Sequence, residues 1–280
     1  MRFASVTIDG APHAVLLDGD RAVPLRGVAE LGLETPSSLL ADPPLDHASA
    51  VPTADVVFRA VVPRPGKIIC VGLNYRAHVA ESLRDEPEYP VLFTKFASTL
   101  TGPFAALAVP AESTKVDYEG ELVVIVGERV RRAAPAQALR AVAGYAVAND
   151  VSMRDFQHKS HQWLQGKAWD ASTPVGPALV TADEVGDPQA LALRTIVNDT
   201  ILQEATTDLM IFDVATLVST ISQFATLEPG DLILTGTPGG VGVRRDPPVL
   251  LAPGDVVAVE VDGVGRIEST MISERAAVAS

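Results

Sequence analysis

Carboxylates stand at every second position of Asp117-Tyr118-Glu119-Gly120-Glu121, directly before the apolar run Leu122-Val123-Val124-Ile125-Val126. In an extended strand, side chains at i, i+2 and i+4 share a face, so Asp117, Glu119 and Glu121 are expected to project together. Three adjacent like charges repel unless water or a cation separates them. The pattern therefore reads either as a solvated edge-strand face or as a cation site. A further acid, Asp150, ends the apolar stretch Ala146-Val147-Ala148-Asn149, just before Ser152-Met153-Arg154-Asp155 reads as the start of a helix. An acid at that position sits at the lip of the core. Glu119, Glu121 and Asp150 make an oxygen-only donor set with no Cys or His nearby, which suits Mg2+, Mn2+ or Ca2+ rather than Zn2+. Three carboxylates around a divalent ion leave a negative site, so an anionic substrate needs further cations. Lys95, Arg154 and Lys167 are the candidates.

A second pair with chemistry is His78 and Glu81. They lie three apart in a segment that follows a strand and turns helical, so they share a helix face. A carboxylate beside an imidazole fixes its tautomer and raises its basicity, as a general base requires. The same spacing equally describes a surface pair on a solvated helix.

Strands must position most of these residues. Apolar and β-branched runs predict strands at 67–71, 91–95, 122–126, 144–149, 178–181, 190–197, 231–235 and 256–261. Tight turns are expected at Asn198-Asp199 and Asp262-Gly263. Helical spacing of Val214, Leu217, Val218, Ile221 and Phe224 predicts a helix over 213–224 with Asp213 as its N-cap, and a short one is expected near 77–83. Residues 1–60 differ in character. They hold short alternating segments divided by Asp-Gly turns, then a Pro-, Ser- and Asp-rich stretch, and read as a small β-rich domain with a linker ahead of a main domain spanning 61–280. Strands dominate without regular helix alternation, so a mixed, mostly β fold is expected rather than a doubly wound sheet.

The chain of 280 residues is 47% apolar and carries a formal net charge of −13, with no Lys/Arg-rich stretch. That field argues against nucleic acid as a partner. The single cysteine, Cys70, lies in an apolar run and reads as a buried strand residue. No signal-peptide core and no membrane-length apolar stretch is seen, so a cytoplasmic protein without a membrane partner is expected.

Taken together, the motifs resemble the fumarylacetoacetate hydrolase family. Asn74-Tyr75-x-x-His78-x-x-Glu81, Phe93-x-Lys95, Asp117-Tyr118-Glu119-Gly120-Glu121-Leu122 and Asn149-Asp150-Val151-Ser152-x-Arg154-Asp155 with Gln157 occur in the family's order. Lys167-x-x-Asp170, Pro229-Gly230-Asp231 and Gly236-Thr237-Pro238-Gly239-Gly240-Val241-Gly242 follow, so the resemblance covers residues 61–280. It implies a β-roll, commonly a homodimer, to which a small N-terminal unit is often added. It also implies Mg2+ on Glu119, Glu121 and Asp150, with Asp117 as a neighbour rather than a ligand. His78 and Glu81 become the catalytic dyad on a lid helix, and Lys167 the lysine that offsets developing negative charge. Lys95, Arg154, Gln157 and Thr237 fall where members contact substrate or support the site. Phe96 departs from the proline many members carry after the lysine. Residues 157–166, with His158, His161 and Trp163, resemble acylpyruvate and fumarylpyruvate hydrolases of aromatic-compound catabolism. His158 and His161 read as polar loop residues, and Trp163 as a pocket wall or a loop anchor.

The expected activity is Mg2+-dependent hydrolysis of a C–C bond in an acylpyruvate-type 2,4-dioxo acid, such as fumarylpyruvate, to pyruvate and a carboxylic acid. The same metal site without water attack would serve an isomerase of hydroxy-dienoate diacids or an oxaloacetate decarboxylase. A non-catalytic oxo-acid-binding protein would be expected only with ligands or dyad broken, and none is. No Gly-x-Ser-x-Gly elbow, His-Glu-x-x-His helix or P-loop lysine motif is present.

Overall fold

In the computed structural model, which describes residues 1–274, the two apolar runs flanking the acids lie side by side at the centre of one sheet. The Gly120–Val126 strand pairs antiparallel with Val142–Asn149, bringing Gly120 opposite Asn149 and Glu121 opposite Ala148. Every residue of both strands is buried, which is why both read as continuous apolar runs rather than alternating ones. Alternation along the first strand sorts its side chains. Leu122, Val124 and Val126 pack into a core shared with Leu217, Val218 and Ile221, while Val123 and Ile125 join Ile68, Cys70, Leu232 and Leu234 in a second core. By the same period Glu121 lies on the second face.

The sheet continues through Leu232–Leu234, Ile68–Gly72 and Val91–Thr94 on one side. On the other it runs through Thr173–Thr181, Arg2–Ile8, Ala11–Asp18, Arg21–Pro24 and Val51–Pro52. Along this path the pairings are antiparallel except that of Leu232–Leu234 with Ile68–Gly72. Arg2 and Phe3 lie opposite Val180 and Leu179, and Phe3, Ala14 and Leu25 bury in the same core as Val123 and Val175. The compositional boundary near residue 60 thus runs through a continuous sheet and a shared core. The N-terminal strands cover what would otherwise be an exposed edge of Thr173–Thr181.

A second sheet has the order Thr200–Thr206, Ala192–Val197, Val256–Val261, Gly265–Ser273 and Leu107–Val109. Its first hairpin closes at Asn198 and Asp199, both in the left-handed region that a two-residue turn demands. The helix Val214–Phe224 starts where its spacing predicts, with the Asp213 carboxylate accepting the Thr216 N–H at 2.7 Å. The fold is mixed and mostly β, as expected. No described helix is long and apolar enough to cross a membrane.

Candidate active site

The acidic motif does not run as one strand. Val116–Asp117 pairs with Ser152–Met153, and a new strand begins at Gly120. Between them the chain is held by buried amides: the Glu119 N–H donates to Asn149 Oδ1 at 2.9 Å, and the Gly120 N–H to Gln203 Oε1 at 3.0 Å. The expectation that three acids share one face is corrected here, because this break separates Asp117 from the other two. The solvated-edge reading also falls, since Asp117, Glu119, Glu121 and Asp150 are all buried.

Glu119, Glu121 and Asp150 each offer a carboxylate oxygen within 4.8 Å of the others. Asp150 arrives from the end of the neighbouring strand, where its N–H donates to Glu119 O at 2.8 Å. The cations around them are unevenly shared. Lys167 Nζ lies 2.6 Å from Glu119 and 2.8 Å from Asp150, Arg154 Nη1 lies 2.6 Å from Glu119, and Lys95 Nζ lies 2.6 Å from Asp150. Among the described residues Glu121 has no cation in contact and accepts only the Gly236 N–H, at 2.7 Å. Gly236 reaches it in a left-handed conformation (φ +97°) where an added Cβ would lie 2.8 Å from that of Asn74.

The charges shift titration in opposite directions. Burial would raise the Glu119 carboxyl, but Lys167, Arg154 and His78 more than offset this and hold it at about 2. Burial, with Asp150 and Glu119 beside it, pushes Glu121 well above the usual carboxylate range. Burial opposes charge on Lys167, yet Asp150 and Glu119 raise its pKa. With every group ionised, as a bound cation would require, four carboxylates counting Asp117 face three cations, a formal net charge of −1. An oxygen-only donor set whose middle member lacks a counter-charge fits a hard divalent ion, which would turn the local charge to the sign an anionic substrate needs.

A cavity of about 50 Å3 opens over this cluster, with Glu119, Lys167, Arg154, Gln157, Thr237 and His78 on its walls. The helix Arg76–Glu81 carries His78, whose Nδ1 lies 2.7 Å from Glu81 Oε1; the other Glu81 oxygen accepts the Gly240 N–H at 2.7 Å. That leaves Nε2 as the free ring nitrogen. Arg154 is fixed by Asp117 Oδ2 (2.8 Å to Nε) and by Gln157 Oε1 (3.0 Å to Nη1). Its Nη2 is buried without a partner.

Of the two roles expected for Lys95, substrate contact or support of the site, its position matches support: it is fully buried against Asp150, 2.6 Å away, and does not line the cavity. Trp163 does both things its position suggested, lining the cavity and packing edge-on to Phe93 with centroids 5.5 Å apart. His158 lines the cavity mouth, whereas His161 lies on an adjoining groove. Cys70 is a buried strand residue, and burial pushes its thiol pKa up. Sequence reasoning missed Gln203, whose Nε2 donates to Thr237 Oγ1 at 2.8 Å while its Oε1 holds Gly120. It also missed Arg84 and Arg244 at the mouth. A lone polar residue in an alternating hairpin carries no signal that distinguishes it from a solvated one.

A buried three-carboxylate cluster beneath a cavity lined by cations and an imidazole–carboxylate pair is an arrangement that comparison with known proteins places in a family. The family model described as "Fumarylacetoacetate (FAA) hydrolase C-terminal" matches residues 67–272, and the chain belongs to this family. Bovine (Bos taurus) mitochondrial oxaloacetate tautomerase FAHD2A is 45% identical over 224 residues, covering 79% of this chain and 71% of the relative. The structure of a 2-hydroxyhepta-2,4-diene-1,7-dioate isomerase from Mycobacterium marinum superposes with a TM-score of 0.81 at 33% identity, covering 98% of this chain and 99% of that one. A maleylpyruvate hydrolase from Sphingobium, solved in complex with manganese(II) and pyruvate, gives 0.77 at 28% identity with coverages of 98% and 99%.

Proposed function

We propose that this chain is a divalent-metal-dependent isomerase that interconverts the enol and keto forms of a small dicarboxylic 2-oxo acid of the oxaloacetate class. The observation that carries this reading is the convergence on one cavity of two cationic side chains, Arg154 and Lys167, and an imidazole held by a carboxylate. The cations bind an anion and the imidazole moves a proton. The 45% identity to an oxaloacetate tautomerase points the same way.

Arg154 and Lys167, both buried, would hold the substrate carboxylate and offset the charge of its enolate. A divalent ion on Glu119, Glu121 and Asp150 would supply Lewis-acid stabilisation of negative charge on the substrate oxygens. His78, with Nδ1 committed to Glu81, would use Nε2 to take the enol O–H proton and then return it to C3, so that the imidazole ends neutral as the keto form appears. Gln157 and Thr237 complete the walls, and Lys95 steadies Asp150.

A hydrolytic reading is favoured by the likeness to maleylpyruvate hydrolase. There His78 would activate a water for attack on the 4-oxo carbon of an acylpyruvate, and the C–C bond would break to give pyruvate. A substrate panel with Mg2+ separates the readings: oxaloacetate, a hydroxy-dienoate diacid and acylpyruvates including fumarylpyruvate, with products identified. Accelerated enol–keto exchange of oxaloacetate without cleavage of acylpyruvates is expected. Cleavage of an acylpyruvate with no effect on oxaloacetate tautomers would replace the isomerase reading by hydrolysis. Carbon dioxide release would replace it by decarboxylation, and Mg2+-dependent binding without turnover by a binding role.

A further inference from the structure

The cavity has two ends of different character. Its depth carries Glu119, Arg154 and Lys167, and its mouth carries Arg84, Arg244 and His158. Both mouth arginines are exposed, and among the described residues neither guanidinium has an ion-pair or hydrogen-bond partner. In a chain of net charge −13 that is a local reversal of the field. Their neighbours are used differently. Arg245 is tied to Tyr118 Oη and Gly240 O at 3.2 Å each, and Arg76 pairs with Glu86 at 3.2 Å.

The backbones of the two free arginines are anchored to the candidate catalytic elements. The Arg84 N–H donates to Val79 O at 3.2 Å, closing the turn that ends the helix of His78 and Glu81. Arg244 ends a turn whose Gly242 and Val243 N–H groups donate to Asp117 at 2.8 and 3.1 Å, and the same carboxylate accepts Arg154 Nε at 2.8 Å. Gly242 permits this approach, since a Cβ there would lie 2.6 Å from Asp117 Oδ1. The positive field at the mouth shows on His158, whose pKa is lowered by burial and by the charges of Arg154, Arg244, Arg84 and Lys115.

We propose that Arg84 and Arg244 form the subsite for the distal carboxylate of the substrate, making the protein selective for dicarboxylic over monocarboxylic 2-oxo acids. This rests on the reading of the deep end as the site that holds the 2-oxo acid head. Planar guanidinium groups match a carboxylate in charge and fork geometry. A monocarboxylic substrate leaves the two arginines that line the opening without an anion.

The test uses the Mg2+-loaded full chain and its Arg84→Gln, Arg244→Gln and double variants, with enol-oxaloacetate and its 4-methyl ester as substrates. Each single change is expected to raise KM for the diacid about tenfold, and the double change about a hundredfold, with kcat altered little. The diacid-to-ester preference in kcat/KM should collapse towards one in the double variant, and Arg84→Lys should restore part of it. Equal losses for diacid and ester, or no preference in the wild type, would overturn the subsite. Should neither substrate isomerise, the isomerase reading fails, and calorimetry still decides the subsite. Oxaloacetate binding at least tenfold tighter than 2-oxobutyrate in the wild type, and equally with it in the double variant, supports it. Equal wild-type affinities refute it.

Discussion

Replacing Glu121 by Gln separates metal binding from folding, because the two should move in opposite directions. Glu121 lies within 4.8 Å of two other carboxylates and, among the described residues, has only the Gly236 N–H in contact. At that spacing and an effective dielectric of about 20, each like-charge pair costs about 3 kcal/mol. The metal-free protein can evade part of this by protonating Glu121, whose pKa burial, Asp150 and Glu119 already raise. The cost at pH 7 is then capped near 4 kcal/mol for a carboxyl of ordinary pKa about 4.3. Lys167 offsets some of it, so an isosteric amide should stabilise the metal-free protein by roughly 1–3 kcal/mol. For a chain of this size that is about 2–4 °C in Tm per kcal/mol. The variant should also lose a ligand charge and with it most affinity for the ion. Thermal unfolding in chelator and in excess Mn2+ reads both effects. Wild type should gain stability with Mn2+, by about 2.7 kcal/mol at a hundred times Kd. Glu121→Gln should start higher in chelator and gain almost nothing. A variant that melts lower in chelator, or keeps the wild-type response to Mn2+, would refute the reasoning.

Asp117→Asn removes the charge that faces Arg154 and disturbs three backbone donors, Tyr118, Gly242 and Val243, so urea unfolding should show a loss of about 3–5 kcal/mol. A loss below about 1 kcal/mol would mean that this buried pair organises little. His78→Ala should lower kcat by about 10²–10⁴ while calorimetry shows Mn2+ affinity intact; unchanged turnover would make His78 a structural residue. Glu81→Gln should lower kcat by a smaller factor, since it leaves the imidazole in place but weakens its orientation and basicity, and a loss as large as that of His78→Ala would give Glu81 a direct role.

The fold was legible where burial is two-sided or strictly alternating. The runs around Leu122–Val126 and Ala146–Asn149, the Asn198-Asp199 turn and the Asp213-capped helix all lie where periodicity and turn chemistry predict. The continuity of residues 1–60 with the main sheet was not legible, because strand pairing over more than 170 positions, as between Phe3 and Leu179, leaves no local trace. Among the acids, spacing brought Glu119 and Glu121 together but wrongly added Asp117. The break at Tyr118–Glu119 depends on Asn149 and Gln203, which are distant in sequence. Lys95 was recognisable as a cation near the site, but only tertiary structure shows that it serves Asp150 rather than the cavity. Arg84 and Arg244 stand in unremarkable polar stretches and become a pair only when two loops meet at one opening.

In the proposed function Glu119, Glu121 and Asp150 hold a divalent ion on which enol–keto exchange of a 2-oxo diacid depends. The most direct test of this dependence follows the decay of enol-oxaloacetate absorbance in matched samples of Mg2+-loaded and chelator-stripped protein. The expected result is a catalysed decay that vanishes on stripping, returns with Mg2+ and is absent from Glu119→Gln. A decay as fast in the stripped protein, or no acceleration by the loaded one, would contradict it.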